Sequence, residues 1–295
     1  MRESDFFGGK ESSAAAYLKH RYAIPPHVPN LPLSDEPFLM SWREAAGQGV
    51  LDFLSAAFGL PVSAFSWQNA ESLTISFADT LGGRLPVIAT KSHSDFCAME
   101  ALLNGKGKIR AFPATVNAFA MQARAESIDR HRVLLLNYAP YSNIPAGALG
   151  LSGDEWMERS HRLRLRHECA HYETLRLFGD MKNHALDEIL ADALGQIAAF
   201  GSFDADRQRI FFGLTRGKAT CSGRLSFYCQ TAAETERPKI YKAVDEVLDV
   251  VADEVIGLLA RQAEDIEILS ALARSSIAER LEAIRNKGNT DSTRP

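Results

Sequence analysis

One run of sequence limits the fold of this chain more than any other. From Leu151 to Gly179 runs "LSGDEWMERSHRLRLRHECAHYETLRLFG". Ser152 with Glu155 three residues on is a helix-opening pair, and a glycine closes the run. The spacing therefore predicts one long helix, and whatever fold the chain adopts must pack it. On a helix turning about 100° per residue, His167 and His171 differ by about 40° and sit one turn apart on the same side. Glu168 stands beside the first of them. Cys169 lies about 160° from His167 and so belongs to the packing side.

Around this helix the pattern is mixed. "SLTISFAD" (72–79) alternates as a strand does, "LPVIAT" (85–90) is short and β-branched, and "HRVLLLNY" (131–138) has the continuous apolar run of a buried strand. "SDFCAMEALLNG" (94–105) predicts a short helix opened by Ser94 or Asp95 and closed by Gly105, and "PATVNAFAMQAR" (113–124) predicts another extended segment. "FLMSWREAAGQGVLDFLSAAFGL" (38–60) has helical spacing up to Gly59. Five prolines in "YAIPPHVPNLPLSDEP" (22–37) leave only an extended connector there. Downstream, "HALDEILADALGQIAAF" (184–200) predicts a second helix. The stretch from Arg237 to Asn286 is apolar at three-to-four spacing and predicts one long helix or two packed ones. The fold class expected is α+β, a small mixed sheet packed on the long helix, with a helical C-terminal section.

Charge narrows the functions. A formal net charge of -4 with both signs dispersed gives no footprint for nucleic acid or a membrane surface. No signal peptide core or eighteen-residue apolar run is present, so the chain reads as soluble and cytoplasmic. Its four cysteines form no CxxC pair and read as small buried hydrophobes or free thiols. Charge thus leaves a small molecule or a polypeptide as the expected partner, which the motifs below narrow to a peptide or protein substrate.

Two histidines at i and i+4 with a glutamate after the first make the HExxH pattern of a zinc centre, in which the histidines ligate and the glutamate handles a water's proton. A catalytic zinc normally needs a third protein ligand. The zincin class that draws it from a third histidine is excluded, since Thr174 and Leu177 stand where glycine and histidine are required. The next helix offers Glu188, with Asp187 and His184 close by, and the break at "FGDMKN" lets that helix return antiparallel to the first.

At Glu188 and Asp192 the sequence "EILAD" resembles the glutamate-x-x-x-aspartate element of the gluzincins, the thermolysin-like and aminopeptidase-like metallopeptidases. That resemblance implies Glu188 as third zinc ligand and Asp192 as the carboxylate that hydrogen-bonds a ligand histidine. Upstream, "VNAFA" (116–120) is similar to the edge strand that lines the cleft in thermolysin-like and CAAX-protease-like families, which implies that Asn117, Ala118 and Phe119 contact an extended substrate. The resemblance covers about residues 115–200.

These expectations combine into a zinc-dependent hydrolase, a metallopeptidase with Zn2+ held by His167, His171 and Glu188 and with Glu168 as general base. The oxyanion donor is sought among His184, Tyr228 and Tyr241. Two other readings stay open: a zinc hydrolase acting on a different amide, and a protein that binds a partner through a structural or degenerate zinc site. The expected layout is an N-terminal segment and connector (1–37), a zincin-like catalytic core (38–215), a helical section (216–287) and a disordered tail (288–295).

Overall fold

Why the run "RVLLLN" carries no polar alternation is plain from its position: it is an inner strand of a sheet covered on both faces, with Val133, Leu134, Leu135 and Leu136 all essentially inaccessible. The structure is a computed structural model and describes residues 12–26, 30–45 and 47–291. In chain order its elements are α1 (Ala14–Leu18), α2 (Val50–Phe58), β1 (Thr74–Ala78), β2 (Leu85–Thr90), α3 (His93–Leu103), β3 (Ala118–Gln122) and β4 (Arg132–Asn137). There follow α4 (Gly153–Phe178), α5 (Ala185–Phe200), α6 (Ala205–Phe212), α7 (Leu225–Tyr228), α8 (Arg237–Ala260), α9 (Asp265–Arg274) and α10 (Ile277–Asp291). The α+β class with a small mixed sheet and a helical C-terminal section is what the chain adopts. Two compact units divide it, one of residues 27–177 and one joining the N-terminal stretch up to Pro26 to everything from Phe178 onward. That division falls inside the segment expected to be one catalytic core, at the end of the long helix.

In the sheet unit the strand order is β1-β2-β4-β3. β2 and β4 pair in parallel, and β1 and β3 run antiparallel to them at the two edges. Alternate residues feed different cores. Val133, Leu135 and Ile88 join Trp42, Phe53, Phe96 and Leu102 on one face, while Leu134, Leu136 and Val87 meet Cys169 and Tyr172 of α4 on the other. Cys169 thus fixes which side of α4 faces the sheet, as its angle on the helix requires.

Local details depart from the expected boundaries for identifiable reasons. The helix expected over 38–60 is broken into a 3-10 stretch, Pro37–Ala45, and α2, with Gly47 at φ +81° between them. Ser92 caps α3, accepting from the Asp95 N–H at 3.2 Å. Asp95 is buried and instead accepts the N–H groups of Gln68 and Asn69 at 2.7 and 2.8 Å, so it anchors a preceding loop.

The helical unit holds α1 and α5 to α10. The single or paired C-terminal helix expected from periodicity is three, because the chain turns at Gln262 (φ 58°) and again before Ser276. A reciprocal cap between Glu264 and Glu267 opens α9. At the next break Ser276 N–H donates to Glu279 while Ser276 Oγ accepts from Glu279 N–H, which opens α10. α10 runs to Asp291, four residues into the tail expected to be disordered; residues 292–295 lie outside the described residues, as do residues 1–11 and 27–29 of the expected N-terminal segment and connector. Among the described residues no helix is long and apolar enough to cross a membrane.

Candidate metal centre

The long helix α4 begins at a Ser152 cap, whose Oγ accepts from Glu155 N–H at 3.3 Å, and ends at Gly179 with φ +75°. It is tied to the end of β4 by polar bonds. The Arg164 guanidinium donates to the carbonyls of Asn137 and Pro140, both at 3.2 Å, and Ser160 Oγ accepts from the Tyr141 N–H at 3.0 Å. Trp156 Nε1 donates to the Ile144 carbonyl at 2.7 Å. These bonds hold the loop after β4 along the helix and bring Tyr141 to His167.

His167 and His171 are both buried, and their Nε2 atoms lie 3.0 Å apart. Ligands about 2.0–2.1 Å from a tetrahedral zinc stand about 3.3 Å from one another, so this separation fits two imidazoles sharing one ion. The Tyr141 hydroxyl lies 3.0 Å from His167 Nδ1, where it fixes the ring and leaves Nε2 for the shared point. Glu168 is buried beside them and makes no hydrogen bond or ion pair among the described residues, so its carboxylate is uncommitted. Cys169, packed on the sheet, has its thiol pushed up to about 12 by burial, and it stays protonated.

In the helical unit Glu188 and Asp192 lie one turn apart on α5, both buried. Arg224 clasps the pair: one terminal nitrogen donates to Glu188 Oε2 at 2.9 Å and the other to Asp192 Oδ2. Asp192 also accepts from Gln208 Nε2, whose own amide oxygen accepts from Gln196 at 2.7 Å. What allows Arg224 to arrive is a close backbone approach: a Cβ on Gly213 would stand 2.2 Å from Gly223 N, and one on Gly223 would stand 2.7 Å from the Phe212 carbonyl. Glycine at both positions lets the turn press against the end of α6 and present the next residue to α5. Tyr228 follows one turn later. Desolvation pushes its phenol well above the ordinary value, and the neighbouring Glu188 charge raises it further, so it remains a proton donor.

Other residues singled out from the sequence have defined local work. His184 caps α5. Its Nδ1 accepts the Leu186 N–H at 3.1 Å and its Nε2 donates to the Tyr17 carbonyl at 3.0 Å, which leaves neither ring nitrogen over for an oxyanion. Tyr241 is buried within α8. Asn117 is buried and bridges the Ala114 carbonyl and the Asn137 side-chain amide, each at 2.7 Å, and Phe119 stacks on Phe96 with ring centroids 5.2 Å apart. Those two side chains are therefore engaged inside the sheet unit. From the "VNAFA" segment, the part open to a ligand is the outer backbone of β3, which begins at Ala118 and lies at a sheet edge.

Two residues that matter here, Tyr141 and Arg224, escaped the reading of the sequence, and a third, Arg164, suits a solvated helix face by sequence but is buried. Arg164 carried a signal, since an arginine three residues before His167 shares its side of the helix and needs acceptors when buried. Tyr141 and Arg224 lie in loop and turn sequence with no periodic signal.

Residues 114–282 match a sequence family described as "Family of unknown function (DUF7005)". The matched span takes in β3, β4, the HExxH helix, Glu188, Asp192 and Arg224. No curated protein and no solved structure matches the chain.

Proposed function

Since this chain belongs to the DUF7005 family, whose function is unknown, its activity has to be argued from the site, and we propose that it is a zinc-dependent hydrolase of gluzincin type that cleaves peptide bonds. The observation that carries this reading is the convergence of His167 and His171 Nε2 at 3.0 Å beside the uncommitted carboxylate of Glu168. Glu188 is the third ligand in this reading, and the sheet unit has a zincin-like role as the scaffold of the helix. Bound there, zinc supplies a Lewis acid for a carbonyl and lowers the pKa of water to about 7.

The chain's own residues do the rest. Glu168 accepts the proton of the attacking water and returns it to the leaving amine. Tyr141, at Nδ1, orients the His167 ring so that Nε2 points to the position shared with His171. Asp192, held by Gln208, shares the Arg224 guanidinium with Glu188, and Tyr228 is the best placed of the three oxyanion candidates because its hydroxyl stands beside Glu188. The free edge of β3 supplies main-chain groups to which an extended peptide can pair.

A second reading has an observation of its own. Glu188 is already ion-paired with Arg224, as suits a site that binds without turning over. Metal content and peptide turnover separate the two. Wild type is expected to hold zinc at His167 and His171, with Glu188→Ala losing it. Glu168→Gln is expected to keep the metal and lose at least about a hundredfold in cleavage of a peptide library. Retention of all zinc by Glu188→Ala overturns the ligand set, and equal turnover by Glu168→Gln overturns the catalytic role.

A further inference from the structure

A second cluster of metal-binding side chains lies wholly within the helical unit. The stretch Ser12 to Tyr22 is strapped across that unit by bonds to residues far away in sequence. Ser12 N–H donates to the Thr231 carbonyl at 2.9 Å, the Tyr17 hydroxyl to the Tyr228 carbonyl at 3.1 Å, and Tyr22 N–H to the Ala273 carbonyl at 3.1 Å. The strap brings His20 against the first turn of α5. There the ring of His20 meets the edge of His184 with centroids 4.5 Å apart, and Tyr22 donates its hydroxyl to Asp187 Oδ1.

The other oxygen of Asp187 has no hydrogen-bond donor, although the side chain is fully buried. His20 Nε2 lies 3.5 Å from it and is likewise buried without a hydrogen-bond partner. His184 Nδ1 is 3.9 Å from the same oxygen. Its protonation state follows from its neighbours. A carbonyl can only accept, so Nε2 facing Tyr17 carries the hydrogen; Nδ1, which accepts the Leu186 N–H, carries a lone pair. The atoms left over are thus Asp187 Oδ2 and His20 Nε2, buried side by side without a hydrogen-bond partner next to the Nδ1 of His184, and an orphaned buried carboxylate oxygen is costly to maintain. The three ligand atoms lie within 4.8 Å of one another. Their closer separations exceed a hydrogen bond and suit ligands set about 2.0–2.2 Å around a common ion.

From this geometry we infer that His20 Nε2, His184 Nδ1 and Asp187 Oδ2 form a second binding site for a divalent transition-metal ion, in addition to the pair on α4. Two imidazoles and one carboxylate are a borderline donor set, suited to zinc, cobalt or iron(II) rather than to magnesium or calcium. Binding takes the lone pair that Leu186 N–H now shares, and it fastens the N-terminal strap to the start of α5. The ion at this site is thus a clip between distant parts of one unit, closing a loop of more than 160 residues between His20 and His184.

The full chain, stripped with a chelator, is titrated with Zn2+ and with Co2+, and bound metal is counted after gel filtration. Wild type is expected to bind about two equivalents, with His20→Ala and Asp187→Asn each binding about one and His167→Ala/His171→Ala also binding about one. His20→Gln, which keeps the bulk of the side chain, serves as a second variant in case His20→Ala unfolds, and circular dichroism verifies the fold of each. Full wild-type stoichiometry in His20→Gln and Asp187→Asn overturns the second site, as does a wild type that holds one equivalent and a His167/His171 variant that holds none. If the His167/His171 variant instead matches wild type while His20→Gln loses one equivalent, the second site stands and the reading of the α4 pair falls.

Discussion

The histidine pair of α4 and the carboxylate pair of α5 are held in opposite ways. His167 is positioned by a neutral phenol, Tyr141, on a helix whose charged residue nearby, Arg164, is turned to backbone carbonyls. Glu188 and Asp192 are held by a full positive charge, Arg224, which bonds to both. The difference matches what the proposed function asks of each group. In that reading the imidazole ligates a metal through Nε2, and a hydroxyl at Nδ1 orients the ring without occupying that position. A buried carboxylate pair needs charge compensation to exist at all. One half of the proposed ligand set is thus organised by local helix geometry and one hydroxyl, the other by an ion-pair network.

Removing the cation breaks the comparison most severely. Arg224→Met leaves two carboxylates buried without their counter-charge, and the metal-stripped protein is expected to lose about 3 kcal/mol in urea unfolding. A loss below about 1 kcal/mol shows that Arg224 does not hold the pair. Next in size is Tyr141→Phe. Because second-shell partners of this kind typically support metal affinity by about 10–100-fold, zinc binding measured against a chromophoric chelator is expected to weaken by at least about tenfold, with only about 1 kcal/mol lost in stability. An unchanged zinc affinity means that the phenol does not orient the ligand.

Smaller effects test whether the helical unit depends on its caps as well as on its charges. Ser276→Ala removes the reciprocal cap that starts α10 and is expected to cost about 1 kcal/mol, read as a lower urea midpoint. The smallest effect concerns a surface pair of the sheet unit. The Arg84 guanidinium beside Asp35, together with the Arg84 backbone N–H, holds that carboxyl below the usual carboxylate range. A group whose folded pKa lies below its unfolded value stabilises the protein above about pH 3.9, and that contribution disappears as acid carries the pH down through the folded value. Asp35→Asn is therefore expected to flatten the acid limb of the stability profile slightly below about pH 4 while leaving the proposed zinc site untouched. A change in zinc affinity in this variant contradicts the separation drawn between surface pairs and site.

Much of the fold was legible because it rests on local periodicity. "LPVIAT" is β2 to the residue, "RVLLLN" is β4, and Ser152 and Gly179 bound α4. The signals that went unread were short. "SIAE" at 276–279 is a capping pair, and it marks where a seemingly continuous C-terminal pattern breaks. Ser92, two residues before the expected cap, opens α3 because Asp95 was drawn away to Gln68 and Asn69, a contact between residues some 26 positions apart that no window of sequence displays.

What the sequence by itself determined is the relation of residues a few positions apart. His167, Glu168 and His171 must share one flank of a helix, and Cys169 must face away, because helix geometry permits nothing else. Only the tertiary structure decided which groups distant in sequence meet one another: Tyr141 and His167 in the sheet unit, and in the helical unit Arg224 with Glu188 and Asp192, and His20 with His184 and Asp187. The physical reason is that hydrogen bonds and ion pairs act over about 3 Å in space, whereas the order of residues along the chain constrains only neighbours.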